Sequence, residues 1–262
     1  MHLEHPYKDY KNTESPEVSK KVDEWFMRRW ARFTASEDYK LMVPGKGEMF
    51  GTGAWTYIKQ KALEMTTVMQ ERPELEEAKA ILHGRSQQYA AHEAYVNHTK
   101  NYDLTYFGDD DPIFYPYLPL AEEAGGSPDS AIVTLEGSIT MGAEFKNPKN
   151  PLNHFDRLDW KDQFDVRENY PLAYTQCIKL MMCTGAEQWD FVSFDDRQIV
   201  KSKRIKVIPI YLNKDKNYQN ALEVRLRCAI KEKYRIISKK YGLEVANRSD
   251  FMQKFQLVGQ SF

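Results

Sequence analysis

Two short apolar runs on either side of a glycine-containing turn constrain this chain of 262 residues more than any other feature. The runs span 131–135 and 139–146, with a turn at 136–138, a pattern typical of a β-hairpin. Glu144 and Lys146 are two residues apart, so on a strand they project from one face, and Asp129 stands at the mouth of the first run. Two carboxylates with spare oxygen atoms suit Mg²⁺, and a lysine beside the metal can orient or deprotonate a water molecule. The hairpin therefore predicts a metal-dependent site for phosphodiester hydrolysis.

A simpler interpretation of the same residues exists. An aspartate before a strand is usually a turn residue, and a Glu-x-Lys pair is usually a solvated strand face. The surrounding residues favour the site, because they are apolar and predict a largely buried hairpin in which unpaired charges are costly. These residues are Ile132, Val133, Ile139, Met141 and Phe145.

The motif resembles that of a known family. The segment Ser-Pro-Asp that ends at Asp129, and the segment Glu-Phe-Lys-Asn-Pro that begins at Glu144, resemble the signature of the PD-(D/E)XK nucleases. Within them the chain resembles the lambda-exonuclease or YqaJ-type viral recombinase branch, over about residues 29–218. The resemblance implies an α/β fold with a mixed central sheet flanked by helices, as in restriction endonucleases. It also implies a Mg²⁺-dependent 5′→3′ exonuclease, with Mn²⁺ as a substitute, that degrades linear double-stranded DNA.

The biological setting is implied by the same resemblance. It implies phage-type recombination by single-strand annealing, with double-stranded DNA ends and an annealing protein as partners, a homotrimer, and a phage or prophage protein in the cytoplasm of a bacterial host. Two alternatives stay open: a structure-specific endonuclease of the same fold, and a DNA-end-binding protein with a weakened metal site.

Roles at the metal site follow from the resemblance. Asp129, Glu144 and the backbone carbonyl of Phe145 are the implied ligands, and Lys146 orients the attacking water. The family's helical motif Gly-x-x-x-Glu-x-x-Ala contributes a further acidic residue, and Gln88 stands at that position here. Glutamine keeps a carbonyl oxygen that can bind a cation but lacks the negative charge, so metal binding is expected to be weaker.

A pocket for the 5′-terminal phosphate is implied at Arg29, Ser36 and Ser127. The segment Thr-Ala-Ser at 34–36 is expected to begin a helix, with Thr34 or Ser36 as N-cap, and a helix N-terminus suits a phosphate. Without the family pattern, an ordinary cap and a surface arginine would be the favoured interpretation.

Tyr174 and Gln176 resemble the family's Tyr-x-Gln near the active site. They imply a DNA contact for Tyr174 and a catalytic role for Gln176, in which it positions a phosphate or the attacking water. The segment 189–197 resembles the family's Trp-Asp-Phe-Val-Ser-Tyr-Asp-Pro-Arg, with Asp196 in place of the proline.

The rest of the chain predicts one domain with additions at both ends: an arm at 1–18, a nuclease domain at 19–245 and a tail at 246–262. The pattern predicts helices over 19–32, 54–70, 171–185 and 216–241, another that begins at Pro73 and ends near 99, and a short helix within a loop at 155–164. Strands are expected at 189–195 and 203–212. The tail from Phe251 onward is apolar enough to dock on a neighbour.

Composition excludes several classes of protein. The net charge of −1 excludes a global basic field, so nucleic-acid binding requires a local patch. The three cysteines have no CxxC spacing, which argues against zinc or iron–sulfur sites, and their odd number fits a reducing compartment. No apolar run approaches the length of a membrane span, so no membrane partner is expected.

Overall fold

The computed structural model describes residues 16–67, 79–108 and 111–259. The helices in these ranges are α1 (Pro16–Arg29), α2 (Tyr39–Met42), α3 (Thr52–Thr66), α4 (Lys79–Thr99), α5 (Pro151–Arg157), α6 (Gln163–Asn169), α7 (Pro171–Thr184), α8 (Lys216–Tyr241) and α9 (Arg248–Gly259). The strands are β1 (Phe33–Thr34), β2 (Leu104–Tyr106), β3 (Tyr115–Pro116), β4 (Ala124–Gly126), β5 (Ser130–Val133), β6 (Ile139–Lys146), β7 (Gln188–Phe194) and β8 (Ile205–Tyr211).

A mixed sheet of five strands forms the centre of the described chain, in the order β2-β5-β6-β7-β8. Strands β6 and β7 are parallel, and the other neighbours are antiparallel. A smaller sheet, β1-β4-β3, lies earlier in the chain and leads into the central sheet through β4 and β5. This architecture confirms the predicted α/β fold with a mixed central sheet flanked by helices.

The predicted hairpin is confirmed as β5 and β6. Ser130 pairs with Ala143 and Ile132 with Met141 in antiparallel register. Gly137 supplies the left-handed residue of the turn at φ +83°, and its N–H donates to the Thr134 carbonyl at 2.9 Å. The hairpin is largely buried, as its apolar residues predict, and this burial is what makes charged residues at its open end notable.

Helices cover both faces of the central sheet. Helix α7 packs on one face, where Ile178 lies in the same buried cluster as Trp189 and Phe191 of β7. Helix α4 packs on the other face, where Tyr95 joins a cluster with Phe145. Alternation of side chains along each strand explains why neighbouring residues of β6 and β7 belong to different clusters.

A buried ionic cluster at Glu123 connects helices α8 and α9 to the residues that precede β1 and β4. Lys233 and Tyr234 of α8 both donate hydrogen bonds to the carboxylate of Glu123, and Lys233 also donates to the Ala31 carbonyl at 3.2 Å. Burial lowers the pKa of Lys233 to about 8, partly offset by Glu123. Removal of one partner from such a buried pair typically costs about 3–5 kcal/mol, so this cluster holds the C-terminal helices in place.

Some element predictions are corrected by the structure. No helix begins at Thr34, because β1 pairs with β4 there and the turn that follows leads to α2, whose N-cap is Asp38. The segment expected to carry one short helix at 155–164 forms two, α5 and α6, with Asn150 and Asp162 as caps. Phe251 does not dock on a neighbour, since it is buried against this chain's own α8.

Other expectations fall partly outside the described residues. Residues 1–15 of the predicted arm and Pro73, the predicted start of a helix, lie outside the described ranges. Helix α1 begins at Pro16, which is inside the arm predicted for 1–18. The helices predicted at 171–185 and 216–241 and the strands predicted at 189–195 and 203–212 are confirmed as α7, α8, β7 and β8. Within the described ranges, no helix combines the length and apolar character that crossing a bilayer requires.

Candidate active site

One end of the central sheet gathers the predicted catalytic residues. Ser130 of β5 pairs with Ala143 of β6 in antiparallel register. If the same register is extended by one residue, Asp129 lies opposite Glu144. Opposed residues of an antiparallel pair project to the same face, and Lys146, two residues further along β6, shares that face. The sheet therefore brings two carboxylates and one ammonium group together, as the hairpin predicts.

Asp129 is held at both carboxylate oxygens. Its Oδ2 accepts a hydrogen bond from the Phe145 N–H at 2.8 Å, and its Oδ1 accepts one from the Gln88 side-chain amide at 2.6 Å. Burial and the neighbouring Glu144 carboxylate raise the pKa of Asp129 well above its ordinary value, although Lys146 acts in the opposite direction. A nearby cation would stabilise the charged form of a buried carboxylate whose pKa is raised in this way.

Glu144 has one oxygen that no hydrogen bond satisfies. The residue is 1% exposed, and its Oε1 accepts a hydrogen bond from Lys146 Nζ at 2.6 Å. Its Oε2 is buried without a hydrogen-bond partner. A buried carboxylate oxygen is costly unless it is hydrogen-bonded or bound to a cation, so this atom is the best candidate ligand in the site.

Lys146 is a charged donor in this setting. Burial lowers the pKa of its ammonium group, but the carboxylates of Glu144 and Asp129 act the other way and more than compensate, so the pKa is raised above its ordinary value. Besides Glu144, the ammonium donates to Oε1 of Gln176 on α7 at 3.1 Å. Held by these two acceptors, the ammonium group is placed to orient and stabilise a reacting group.

Gln88 reaches the site from α4 with its amide nitrogen toward Asp129. The predicted metal contact would use its carbonyl oxygen instead, so the side chain stabilises Asp129 in this structure. His92, one helical turn further, shares a hydrogen bond at 3.0 Å with Ser130 and packs against Phe145. These contacts give His92 a structural role in joining α4 to the hairpin.

A cleft of about 770 Å³ surrounds these residues and is lined by Asp129, Glu144, Phe145, Lys146 and Gln88, among others. In the described part of the chain, no three His, Cys, Asp or Glu side chains are grouped so as to hold a metal ion. The residues nevertheless fit Mg²⁺, which takes one or two carboxylates and keeps several waters. The unpaired Oε2 of Glu144 and the raised pKa of Asp129 are the observations that support this fit.

Arg29 and Ser127 contact each other, and Ser127 precedes Asp129 by two residues in the chain. The Ser127 hydroxyl accepts hydrogen bonds from Arg29 Nη1 at 3.2 Å and from Trp25 Nε1 at 2.8 Å. The guanidinium group of Arg29 also lies over the Trp25 ring, at 4.3 Å from its centre. Burial lowers the pKa of Arg29, so its charge is incompletely compensated and would gain from an anion.

Ser36 comes to the same place through the small sheet. The Ala35 N–H donates to the Gly125 carbonyl at 2.9 Å, and Ser36 and Ser127 follow close behind these paired strands. Gly126 permits the close approach, because a Cβ there would lie 2.9 Å from the Ala35 side chain and 2.7 Å from Leu180. Ser36 therefore lies in a turn near Ser127 and is not the cap of a helix.

Comparison with known proteins gives structural matches only. No family model matches the chain, and no curated protein does. The alkaline exonuclease LHK-Exo of Laribacter hongkongensis is 22% identical, with a TM-score of 0.64 over 83% of this chain and 95% of the other. The same enzyme in complex with dAMP gives a TM-score of 0.65 over 84% and 98%, again at 22% identity. A phage-related exonuclease of Haemophilus somnus 129PT is 13% identical, with a TM-score of 0.59 over 82% and 99%.

The chain shares the fold of these exonucleases. At these levels of identity the likeness establishes the fold alone. The activity has to be inferred from the side chains that this exonuclease fold brings together.

Tyr174 is a predicted site residue whose side chain is buried away from the cleft. It is fully buried, and its hydroxyl donates to Asp215 at 2.9 Å and accepts from Gln163 at 3.3 Å. A DNA contact requires an accessible hydroxyl group, and Tyr174 has none. Its neighbour on the helix, Gln176, is the residue that faces Lys146.

Tyr174→Phe is accordingly expected to lower stability and to leave DNA affinity unchanged. Loss of the hydroxyl leaves Asp215 with one buried hydrogen bond fewer, which should reduce the free energy of unfolding by about 1–3 kcal/mol. Urea unfolding and fluorescence anisotropy with a duplex would measure the two quantities. A large loss of DNA affinity in a variant of normal stability would restore the predicted DNA contact.

Three further residues belong to the site by position. Arg157 lies in the segment 150–169, whose basic residues predict either a flank for bound DNA or an ordinary surface loop, whereas Trp25 and Asn147 were not assigned to the site from the sequence. Trp25 binds Ser127, and Arg157 and Asn147 line the cleft. The buried Oδ1 of Asn147 has no hydrogen-bond partner, while its amide donates to the Gly84 carbonyl at 3.1 Å. The position of Asn147 directly after Lys146 was a signal that could have identified it, because the strand ends there.

Proposed function

We propose that this chain is a Mg²⁺-dependent exonuclease that degrades linear double-stranded DNA from its 5′ ends. The single observation that carries the proposal is the convergence of Asp129, Glu144 and Lys146 at one cleft, with Glu144 Oε2 buried and unpaired. The exonuclease fold agrees with this activity. The ammonium group of Lys146, which is hydrogen-bonded to the Glu144 carboxylate, also agrees with it.

The metal would be held by Asp129, Glu144 and the carbonyl of Phe145, with Gln88 as a weak additional ligand. When bound, Mg²⁺ supplies Lewis-acid stabilisation of the charge that develops at the scissile phosphate. Gln88 can contribute its carbonyl oxygen only if its amide turns away from Asp129. A glutamine in place of the glutamate that the resemblance implies therefore favours weaker metal binding.

The chain's own residues position the reactants. Lys146 donates hydrogen bonds as a charged ammonium, which orients a water molecule for attack on phosphorus. Gln176 holds Lys146 through its Oε1, and Glu144 holds it from the other side. Two fixed acceptors restrict the lysine to one orientation, which is the preorganisation that hydrolysis requires.

Selection of the 5′ end is assigned to Arg29 and Ser127, with Ser36 nearby. The Ser127 oxygen accepts hydrogen bonds from Trp25 and Arg29, so its own proton is directed elsewhere and can be donated to a phosphate oxygen. A terminal phosphate carries more negative charge than an internal one and should be preferred by an arginine site. The proposal includes the recombination setting of phage-type exonucleases, with an annealing protein as partner and a homotrimer as the assembly.

One observation favours a second candidate, a DNA-end-binding protein with a weakened metal site. Only two carboxylates face the cleft among the described residues, and Gln88 stands where the family has an acid. Incubation of 5′-phosphorylated linear duplex with and without Mg²⁺ separates the two functions. Mg²⁺-dependent release of nucleotides supports the exonuclease, whereas end binding without cleavage supports the alternative. Cleavage of closed circular DNA would instead indicate an endonuclease.

Arg29→Ala is expected to remove the preference for a 5′-phosphate. The wild type should degrade 5′-phosphorylated duplex much faster than 5′-hydroxyl duplex, and the variant should reduce that ratio about tenfold or more, because a hydrogen bond to a charged group contributes about 1.5–3 kcal/mol. Initial rates on both substrates provide the measurement.

Arg28→Ala is the matched control, since Arg28 is the exposed neighbour on α1 and should leave the ratio unchanged. The metal requirement should be the same in all three proteins. A wild type without preference, or a preference that survives in Arg29→Ala, would show that Arg29 is only a structural partner of Trp25 and Ser127.

A further inference from the structure

A buried arginine lines the cleft on the side away from Arg29. Arg157, the last residue of α5, is 6% exposed and borders the cleft. Its Nη1 donates to the Ser193 hydroxyl at 3.3 Å, and its guanidinium group lies over the Tyr170 ring at 4.7 Å from the centre. These contacts fix the position of the guanidinium group without neutralising it.

Arg157 has no acidic partner among the described residues. Other arginines of this region do: Arg167 pairs with Asp215 at 2.8 Å, and Arg197 pairs with Asp195 at 2.6 Å. Burial lowers the pKa of Arg157, which reflects the cost of a charge removed from water. A buried cation that borders a cleft and lacks a carboxylate is suited to an anion supplied from outside the chain.

The sheet places Arg157 and Arg29 on opposite sides of the carboxylates. Lys146 of β6 pairs with Ser193 of β7, the residue that anchors Arg157. Arg29 is anchored by Ser127, which lies in the short link between β4 and β5, two residues before Asp129, and β5 is the neighbour of β6 on the side opposite β7. The strand order β5-β6-β7 therefore places the anchors of the two arginines on either side of β6, the strand that carries Glu144 and Lys146.

We propose that Arg157 binds the phosphate that follows the scissile one, on the side away from the Arg29 pocket. If Arg29 holds the terminal 5′-phosphate and the carboxylates hold the second phosphate, Arg157 holds the third. The inference rests on the proposed function, because it assumes that the cleft receives the 5′ end of a DNA strand. Its role is to keep the remaining strand aligned while the bond is cut.

A duplex with one neutral linkage tests this contact by binding alone. Methylphosphonate at the third phosphate removes the charge that Arg157 would bind, and affinities are measured by fluorescence anisotropy without divalent metal. For the wild type, the neutral linkage should weaken binding about tenfold. For Arg157→Ala, both duplexes should bind with the same reduced affinity, because the two changes remove one interaction. The dependence of log affinity on log salt should fall by about one in the variant.

Controls separate the contact from a structural effect. A neutral linkage moved to the fifth or sixth phosphate should have a smaller effect in the wild type. Arg167→Ala should retain the full linkage effect, since Arg167 has Asp215 as its partner and does not border the cleft. Arg157→Gln, which can still donate to Ser193, replaces Arg157→Ala if the alanine variant does not fold.

Equal affinity of the wild type for charged and neutral third linkages would overturn the inference, and so would a linkage effect that persists in the Arg157 variants. Failure of the proposed function gives a different result. In that case the duplex is not cut in Mg²⁺. The effect of the neutral linkage on binding is measured without metal, so it tests the phosphate contact independently of cleavage.

Discussion

Glu144→Gln is expected to abolish cleavage of linear duplex while leaving DNA affinity within about threefold of the wild type, because contacts to the phosphate backbone dominate affinity. The substitution keeps the size of the side chain and removes its charge. Glu144 Oε2 is the buried, unpaired oxygen of the site, and Oε1 holds Lys146. One substitution therefore removes the best candidate ligand and loosens the group that orients water. The measurement is nucleotide release in Mg²⁺ together with anisotropy on the same duplex.

Asp129→Asn should have the same effect through the second carboxylate. Metal binding requires the deprotonated form, and the raised pKa of Asp129 means that a bound cation must displace a proton at low pH. Nuclease activity of the wild type should therefore increase as the pH rises through the range in which Asp129 loses its proton.

Glu136→Gln provides the control for both variants, because Glu136 is an exposed acid in the turn of the same hairpin. It should retain wild-type activity. Mg²⁺-dependent cleavage at the normal rate by both Glu144→Gln and Asp129→Asn would refute the assignment of the metal site.

The positions of the candidate catalytic residues were predictable because local rules determine them. A glycine turn between two apolar runs specifies a hairpin, and alternation along β6 then places Glu144 and Lys146 on one face. The position of Asp129 follows from the register. These rules act over about twenty residues, a range in which sequence pattern is informative.

Other parts of the site depend on contacts that no local pattern encodes. Thr34 has the properties of a helix cap, but pairing with Gly125 in β4 makes it part of a strand. The DNA contact of Tyr174 was implied by the resemblance alone, and the structure buries α7 along most of its length, including Tyr174. Arg157 is one of several basic residues in the segment 150–169, and its lack of an acidic partner among the described residues is visible only in three dimensions.

Lys146→Ala is expected to reduce turnover by about 10²–10⁴-fold, the range typical of a positioned proton donor or acceptor. The raised pKa of Lys146 keeps the ammonium protonated at neutral pH, so the loss would be that of a charged donor held by Glu144 and Gln176. The effect should appear in kcat more than in KM, because the lysine acts on the attacking water and contributes little to binding of the duplex.

Lys146→Arg should not restore the rate. A guanidinium group is planar and bulkier than an ammonium group, and it cannot donate from the same point to Glu144, Gln176 and a water molecule. Lys240→Ala, at the exposed end of α8, is the control for loss of a positive charge and should have normal turnover. If Lys146→Ala retained full activity, the lysine would be only a structural partner of Glu144. A rate restored by arginine would show that positive charge alone, without the geometry of the ammonium group, is sufficient for the reaction.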